Sequence, residues 1–448
     1  MKRRTLLRSG LGTLATGASN KALLGGLSLL SNVGAMGSTG SSDYKSLVMV
    51  FLNGGADTLG LIVPTGASEY ASYQSIRQHL AVDRSELVTL GNDGYATPAS
   101  CQSMANLFDA GKLSWVSNVG PLRQPTTKAM IEQNERIMPL FVGSHNSQQI
   151  MWQSGSVDPN SREGWGGRML ELLNQSAYPV TPNMSLDANQ LFTSTLAKPT
   201  FTVNPDSVQN LAAIDPEPGP NRDVFFEMQK LQRNSILDAE LAYRNRRTLE
   251  SSAFLSSVVN NIGDSPAAYP DNENVEGDKL QRQLKMAARL IAAAPELGHT
   301  KQVIMVQMHA FDTHDDQDRV LPSLLRALFE NLEAFQGDLE ARGLDRHVVT
   351  FSQSDFGRTP TINANGTDHG WGGHNFVMGT PVRGGQIVGE VPEFNVRTEK
   401  MLYNLSIPDF SVEQYASNLA KWFGLTDSEI RDVFPNLYRF DDVDFGLF

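Results

Sequence analysis

The stretch SLVMVFLN (Ser46 to Asn53) is apolar at almost every position and opens directly into the polar sequence GGAD, which ends at Asp57. A nearly continuous apolar run is typical of a parallel strand that is covered on both faces. The runs QVIMVQM (Gln302 to Met308) and HVVTFS (His347 to Ser352) have the same character, and each also ends in a polar cluster. A fourth predicted strand is LSWVSNV (Leu113 to Val119).

Helical patterns lie between and after these strands. They cover Pro98 to Ala110, Val224 to about Ser256, Lys279 to Ala294, Asp318 to Arg342, Val412 to Trp422 and Asp427 to Val433. Strands that alternate with helices predict an α/β fold, a three-layer sandwich with a mostly parallel central sheet. We expect residues 44–448 to form a single domain of this kind, with a helical and irregular insertion around residues 174–295.

The composition excludes several classes of protein. The 448 residues are 40% hydrophobic and 19% charged, which is ordinary for a globular chain and unlike a disordered or coiled-coil one. A net charge of −12, with no basic run after the first few residues, argues against a nucleic-acid partner. The only cysteine is Cys101, so a metal site would have to use histidines and carboxylates.

The first 37 residues have the features of a targeting segment. Arg3 and Arg4 form a twin-arginine pair, and a weakly apolar stretch rich in Gly, Ala, Leu and Ser follows them. Arg8 and Lys21 interrupt that stretch, which argues against a permanent transmembrane helix. We therefore expect the twin-arginine export machinery to be a partner, the mature protein to be periplasmic or extracellular, and no stable membrane span to remain after cleavage. A poorly ordered tail or a lipid-facing anchor is the alternative.

The polar clusters after the strands carry the candidate chemistry. In an open parallel sheet the carboxyl ends of the strands share one edge, where such folds place their sites. These ends supply Asp57, Asp312, His314, Asp355 and Arg358, and a Gly-rich loop from Asn363 to His374 adds Asp368 and His369. Imidazole and carboxylate ligands suit zinc or manganese, and a carboxylate set could take magnesium or calcium. We expect one or two divalent metal ions at this edge.

Each of these residues also has a simpler interpretation. Asp57 either binds metal or caps the helix that follows Gly54 and Gly55. Asp312 and His314 are two positions apart on an extended segment, so they either reach one ion or face solvent. Asp355 follows an apolar strand and must be hydrogen-bonded or metal-bound. Arg358 either pairs with Asp355 or holds an anionic substrate oxygen.

Two further segments leave alternatives open. Asp368 and His369 are neighbours, so one of them could bind the metal while the other supports it. Ser144 stands where a loop enters a helix, and it is either a nucleophile or an ordinary N-cap. His145 is a metal ligand, a general acid or a helix-start residue. The chain has no phosphate-binding GxxxxGK[ST] loop, no GxSxG elbow and no HExxH zinc motif.

Six segments in this order resemble the alkaline phosphatase superfamily and, more closely, an uncharacterised family of twin-arginine-exported bacterial proteins with that sulfatase-like core. The segments are FLNGGADTLGLIVP, GSHNSQQIMWQSG, GWGGRM, FDTHDDQ, SDFGRTP and GTDHGWGGH, and the resemblance covers roughly Tyr44 to Phe423. It implies an alkaline-phosphatase-like fold. It also implies two metals held by Asp57, Asp312, His314, Asp355 and His369, with Ser144 as the best match to the nucleophile.

The chain departs from the pattern of these relatives in three places. The close family has Gly-Trp before Asp-Thr-His, whereas this chain has Ala310 and Phe311. It also has Glu where this chain has Asp355. The superfamily's acid-His pair is here Asp355 and Phe356, so one imidazole is missing and the second metal is weaker, different or absent. Val119 in VGPLR occupies the slot of the sulfatase formylglycine, so a formylglycine sulfatase is not expected.

Residues and resemblance together predict an exported metal-dependent hydrolase of phosphate or related diester and sulfate esters, acting on a small-molecule or polymer substrate. The predicted catalytic residues are Ser144, His145 and Arg358, and the predicted metal ligands are Asp57, Asp312, His314, Asp355, Asp368 and His369. The alternative is a metal-binding envelope protein without catalytic activity that binds a partner or a surface polymer.

Overall fold

The computed structural model describes residues 43–91, 94–173, 180–188, 190–197, 200–208, 223–225, 227–228, 231 and 235–448. Within it, Tyr44–Phe448 form one compact unit. The predicted export signal at residues 1–37 lies outside the described residues, as do parts of the predicted insertion around 174–295, which stays a prediction.

The strands of the described residues are short except at the centre of the main sheet. They are β1 (Lys45–Leu52), β2 (Val63–Pro64), β3 (Leu87–Leu90), β4 (Tyr95–Pro98), β5 (Leu113–Gly120), β6 (Asn183–Ser185), β7 (Phe201–Thr202), β8 (Lys301–Met308), β9 (Val348–Ser354), β10 (Arg358–Ile362), β11 (Thr367–His369), β12 (Gly373–Met378), β13 (Ile387–Val388), β14 (Met401–Leu402), β15 (Leu405–Ser406) and β16 (Phe410–Ser411).

The α-helices range from a single turn to 25 residues. They are α1 (Ala67–Arg77), α2 (Gln102–Asp109), α3 (Lys128–Gln133), α4 (His145–Ser154), α5 (Trp165–Leu172), α6 (Ile236–Val259), α7 (Val275–Ala292), α8 (Ala294–Leu297), α9 (Gln317–Ala341), α10 (Val412–Phe423) and α11 (Asp427–Val433). No helix in the described part of the chain is both long enough and apolar enough to span a bilayer.

The central sheet has nine strands in the order β13-β5-β12-β9-β1-β8-β6-β7, with β16 also paired to β5. β1 lies between β8 and β9 and is parallel to both, and Leu52 is level with Met308 on one side and Ser354 on the other. Only β12 runs antiparallel to its neighbours β5 and β9. The carboxyl ends of β1, β8 and β9 therefore meet at one edge.

The alternation of side chains along β1 explains why the sheet is covered on both faces. Val48 and Val50 point into a cluster with residues of α2, α7 and α9. Met49 and Phe51 point the other way, into a cluster with residues of α4, α5, α10 and α11. Because both faces bury apolar side chains, the run could not alternate with polar residues. The predicted three-layer α/β sandwich with a mostly parallel sheet is confirmed.

One local prediction was wrong. The segment Asn363 to His374 was expected to be a Gly-rich loop, but it contains β11 and the start of β12. Its glycines allow backbones to approach closely: a Cβ added to Gly370 would lie 2.3 Å from the Gly357 carbonyl oxygen. This close approach holds the end of β11 against the turn that follows β9.

Candidate metal centre

Four side chains from three separate segments converge beyond the carboxyl edge of the sheet. His145, Asp312 and His369 each offer one ligand atom, and these atoms lie within 4.8 Å of one another. His314 joins them, because its Nε2 lies 3.1 Å from Asp312 Oδ1 and 2.8 Å from His369 Nε2. The group could therefore hold a metal ion with up to three imidazoles and one carboxylate.

Secondary structure brings each of these residues to the edge. Asp312 and His314 follow β8, and His369 is the last residue of β11. His145 is the first residue of α4, which covers the face of the sheet that carries Phe51. The pairing of β10 with β11 places His369 directly opposite Arg358.

Each imidazole has its second nitrogen engaged by another group. His145 Nδ1 lies 2.5 Å from Asp355 Oδ2, and His369 Nδ1 donates to the Gly143 carbonyl at 2.7 Å. His314 Nδ1 lies 3.3 Å from an oxygen of Asp368. An acceptor at Nδ1 places the proton there and leaves Nε2 as a lone pair. Metal-binding histidines in proteins show this arrangement.

The short distance between the Nε2 atoms of His314 and His369 indicates that a cation fits the site. With the His369 proton on Nδ1, toward the Gly143 carbonyl, and the His314 proton on Nδ1, toward Asp368, two lone pairs would face each other across 2.8 Å. Lone pairs at this distance repel unless a proton or a metal ion is shared between them. The donor set of imidazole and carboxylate suits zinc or a similar divalent ion.

Of the three pKa shifts at the centre, those of His369 and Asp312 favour metal binding and that of His145 opposes it. Burial lowers the pKa of His369, and the nearby Arg358 adds to this effect. Burial alone would raise the pKa of Asp312, but Arg358 outweighs it and holds that pKa below its usual value. The hydrogen bond to Asp355 raises the pKa of His145. A cation would therefore compete with a proton for Nε2 of His145.

Arg358 is fully buried, and its guanidinium donates hydrogen bonds to the backbone around the site. Its partners are the carbonyl oxygens of Gly54 at 2.6 Å, Gly55 at 2.8 Å, Thr367 at 2.9 Å and Phe311 at 3.2 Å, together with Asp312 Oδ1. Its Nη1 also lies 3.5 Å from His314 Nε2, so every guanidinium nitrogen has a partner among the described residues. The sequence-based role of holding a substrate anion stays a prediction. The geometry makes Arg358 a positioning residue that joins the segments after β1 and β8 to β11 and orients Asp312.

Asp355 orients the candidate ligand His145 through a hydrogen bond to its Nδ1. It is fully buried, and its Oδ2 accepts hydrogen bonds from His145 Nδ1 and from the Gln149 amide at 3.1 Å. Its other oxygen has no partner among the described residues. His145 and Gln149 are one turn apart on α4, so a single carboxylate fixes both. These contacts agree with the hydrogen-bonded alternative for Asp355, and direct coordination of a metal stays a prediction.

Asp57 also has different partners from those expected. It forms a bidentate ion pair with Arg77, with N···O distances of 2.5 and 2.8 Å, and accepts a hydrogen bond from the Gln317 side-chain amide at 2.6 Å. Both Asp57 and Arg77 are buried. The Gln317 carbonyl oxygen in turn accepts from the hydroxyl of Thr313, between two of the candidate ligands. Asp57 therefore connects to the centre through Gln317.

Two remaining candidates lie at the rim. Asp368 is exposed and accepts from the Asn363 amide at 2.7 Å while it contacts His314. Ser144 is the N-cap of α4, but its side chain makes no capping hydrogen bond. Its hydroxyl is thus not committed to the helix that begins with a candidate ligand.

Phe356 packs against two of the candidate ligands. Its ring centroid lies 4.9 Å from that of His145 and 4.5 Å from that of His369. Gly55 supports the other side of the ring, because a Cβ added to Gly55 would lie 2.3 Å from Phe356. The residue that replaces an expected imidazole thus holds two others in place.

We expect Gly55→Ala to weaken metal binding at least about 10-fold, as loss of a supporting residue does in other metal sites. Its Cβ would displace Phe356 and with it both imidazole rings. Gly94→Ala is a matched control, because Gly94 has a φ of +79° against +77° for Gly55 and nothing within 4 Å of its Cβ position. Titration of both variants with zinc measures the difference in affinity. Equal zinc affinities would contradict the proposed support of the ligands by Gly55 and Phe356.

The sequence did not reveal several supporting residues. Gln149 and Gln317 lie within two of the quoted segments, and Arg77 lies in none, but the sequence assigned a role to none of the three. The only available signal was the buried carboxylate after β9, which had to find a donor somewhere.

The chain resembles solved structures at low sequence identity. The structure of Ps i-CgsB with a k-i-k-neocarrahexaose has 9% identity and a TM-score of 0.36, and covers 86% of this chain and 74% of its own. The PsFucS1 sulfatase from Pseudoalteromonas sp. has 10% identity and a TM-score of 0.32, with 90% and 71% covered. Wild-type alkaline phosphatase PafA has 9% identity and a TM-score of 0.29, with 70% and 63% covered.

No curated protein matches the sequence. A family match covers nearly all of the compact unit, from the first residue of that unit to the last helix. Residues 44–429 match the family described as protein of unknown function DUF1501, and the chain belongs to this family.

Proposed function

We propose that the protein is an exported metal-dependent hydrolase of phosphate or related diester and sulfate esters. The observation that carries this proposal is the convergence of three imidazole Nε2 atoms and the Asp312 carboxylate at an open position. Asp312 keeps 46% of its side chain exposed. Catalytic metal sites keep such an open side for substrate, whereas structural sites are closed.

The donor set favours one cation, and zinc first among the candidates. Three imidazoles with one carboxylate match the ligands that zinc prefers, while magnesium and calcium prefer all-oxygen sets. The remaining acids are engaged elsewhere: Asp57 pairs with Arg77, and Asp355 accepts from His145 and Gln149. This supports one ion at the lower end of the expected range of one or two.

The protein's own residues prepare the site for an anionic ester. A bound divalent ion supplies Lewis acidity toward an ester oxygen. Arg358 orients Asp312, and Asp355 orients His145, so that neither ligand has to reorganise during the reaction. The N-terminus of α4 adds a partial positive charge beside the ion, which favours a phosphate or sulfate group.

Ser144 is the proposed nucleophile, with a water molecule as its competitor. It immediately precedes a candidate ligand at the start of α4, and its hydroxyl makes no capping bond. In the covalent route, Ser144 Oγ attacks phosphorus, the alcohol of the ester leaves, and water then releases the phosphoryl group from the serine. Full activity in Ser144→Ala would assign the attack to water.

Export by the twin-arginine machinery belongs to this proposal. Its support is Arg3 and Arg4 at the start of the chain, within the segment that precedes the compact unit. A periplasmic or extracellular location suits a hydrolase of small-molecule or polymer esters.

The test is elemental analysis of protein purified without chelators, followed by assays with phosphate monoesters, diesters and sulfate esters. We expect about one zinc ion per chain in the wild type, and its loss in His369→Ala and Asp312→Ala together with a fall in turnover of more than about 100-fold. His79→Ala is the control, since His79 is an exposed histidine outside the cluster.

Two outcomes would contradict parts of this proposal. Metal retained at full stoichiometry in both ligand variants would show that the cluster does not bind it. Metal bound at the cluster without turnover of any of the three ester types would favour the metal-binding envelope protein instead.

A further inference from the structure

Two exposed apolar residues, Leu140 and Phe141, lie on the loop before α4, next to the candidate metal centre. Leu140 and Phe141 keep 52% and 63% of their surface exposed, although the neighbouring Met138 and Val142 pack against a hydrophobic cluster. Exposed leucine or phenylalanine residues are common singly, but an adjacent pair beside a candidate active site is a feature that binding explains.

The backbone at Phe141 is strained. Its φ is +59°, in the left-handed region that bulky residues rarely adopt. Gly143, two positions later, has a φ of +80° that suits glycine. A residue without a large side chain would be easier to accommodate at position 141, so the ring is retained in spite of backbone strain. Strain of this kind clusters at functional sites.

The loop that carries Phe141 is held to the start of α4 at Phe141 and to a candidate ligand at Gly143. The Phe141 carbonyl accepts from the Ser144 amide at 3.0 Å and from the Gln148 side chain at 3.4 Å. The Gly143 carbonyl accepts from His369 Nδ1, and His145 follows two residues later. Two residues span at most about 7 Å, so the Cα of Phe141 stays within that distance of a group bonded to a ligand.

We propose that Phe141, with Leu140 beside it, forms a substrate subsite that takes an apolar ring on the alcohol side of the ester. The inference rests on the proposed function, because the ester group itself would be held at the metal centre. The exposed phenylalanine ring offers a flat apolar face, and contact with a second ring contributes about 0.5–1.5 kcal/mol. This corresponds to a preference of about 2- to 10-fold for ring-bearing ligands.

The experiment compares the binding of benzylphosphonate and methylphosphonate to zinc-loaded protein by calorimetry. Neither probe is hydrolysed, so the result does not depend on turnover. We expect the wild type to bind benzylphosphonate about 2- to 10-fold more tightly, Phe141→Ala to lose that preference, and Phe141→Tyr to keep it. Because Phe141 is mostly exposed, its variants should unfold at nearly the wild-type temperature.

The control is Tyr243→Ala, which removes another half-exposed aromatic ring, on α6. A wild type that binds methylphosphonate but shows no preference for the benzyl compound would overturn the subsite alone. A preference that survives in Phe141→Ala would do the same. Failure of the wild type to bind either phosphonate would contradict the proposed function, and the subsite with it.

Discussion

Arg358→Met is expected to abolish high-affinity metal binding and to lower the free energy of unfolding by about 3–5 kcal/mol. The variant removes hydrogen bonds from four backbone carbonyls and leaves Asp312 without its guanidinium partner. Each buried acceptor left unpaired costs about 1–3 kcal/mol, and water can reach only some of them. Asp312 would then be free to leave the position that it shares with the imidazoles.

Urea unfolding and zinc titration measure the two effects separately. Arg358→Lys tests whether charge alone is enough, and we expect this variant to lose metal binding too, because one ammonium cannot reach carbonyls on all three segments. The control is Arg282→Met, since Arg282 also binds a carboxylate, Asp206, through two oxygens but on the surface. Loss of that exposed pair should cost less than about 1 kcal/mol. Wild-type zinc affinity in Arg358→Met would refute the positioning role.

Arg77→Met is expected to destabilise the fold by about 3–5 kcal/mol while the metal stays bound. The side chains of Asp57 and Arg77 are each only 2% exposed, so removal of the cation leaves a buried, uncompensated carboxylate. The double variant Arg77→Met/Asp57→Leu should recover most of that loss, because a buried ion pair can be replaced by apolar residues at little cost.

Asp57→Asn separates an ion-pair role from a ligand role. If the contacts with Arg77 and Gln317 define its role, the variant should lose stability but keep its full zinc content. Loss of zinc in a folded Asp57→Asn protein, checked by circular dichroism and elemental analysis, would restore Asp57 as a ligand.

The fold was predictable from the sequence because the signal was local. The apolar runs at β1, β8 and β9 need no knowledge of partners to be identified as buried strands. The antiparallel β12 was missed because its first residue, Gly373, and the preceding Gly370 and Gly372 are typical of loops. They are needed instead for close backbone contact, which no local pattern reveals.

The sequence predicted where the candidate site lies, but it did not predict which acidic residues face the site and which pair with other side chains. The sheet edge gathers Asp312 and His314, as their positions after a predicted strand suggested, and His369, which was expected in a Gly-rich loop. The sequence could not show whether an acid such as Asp57 or Asp355 faces the cation or another side chain. That choice depends on Arg77 and Gln149, which come from helices whose packing is set by the whole core.

The assembly of the centre from distant segments has a consequence for biosynthesis. Gly143 and His369, which meet through one hydrogen bond, are 226 positions apart in the chain. Contacts at such separation form late in folding, after the strands between them have paired. During translation, a chain that has not yet reached His369 lacks one ligand and the strand that presents it. The full set of candidate ligands is therefore assembled only near the end of folding, so a cation could contact all of them only in chains that have completed their sheet.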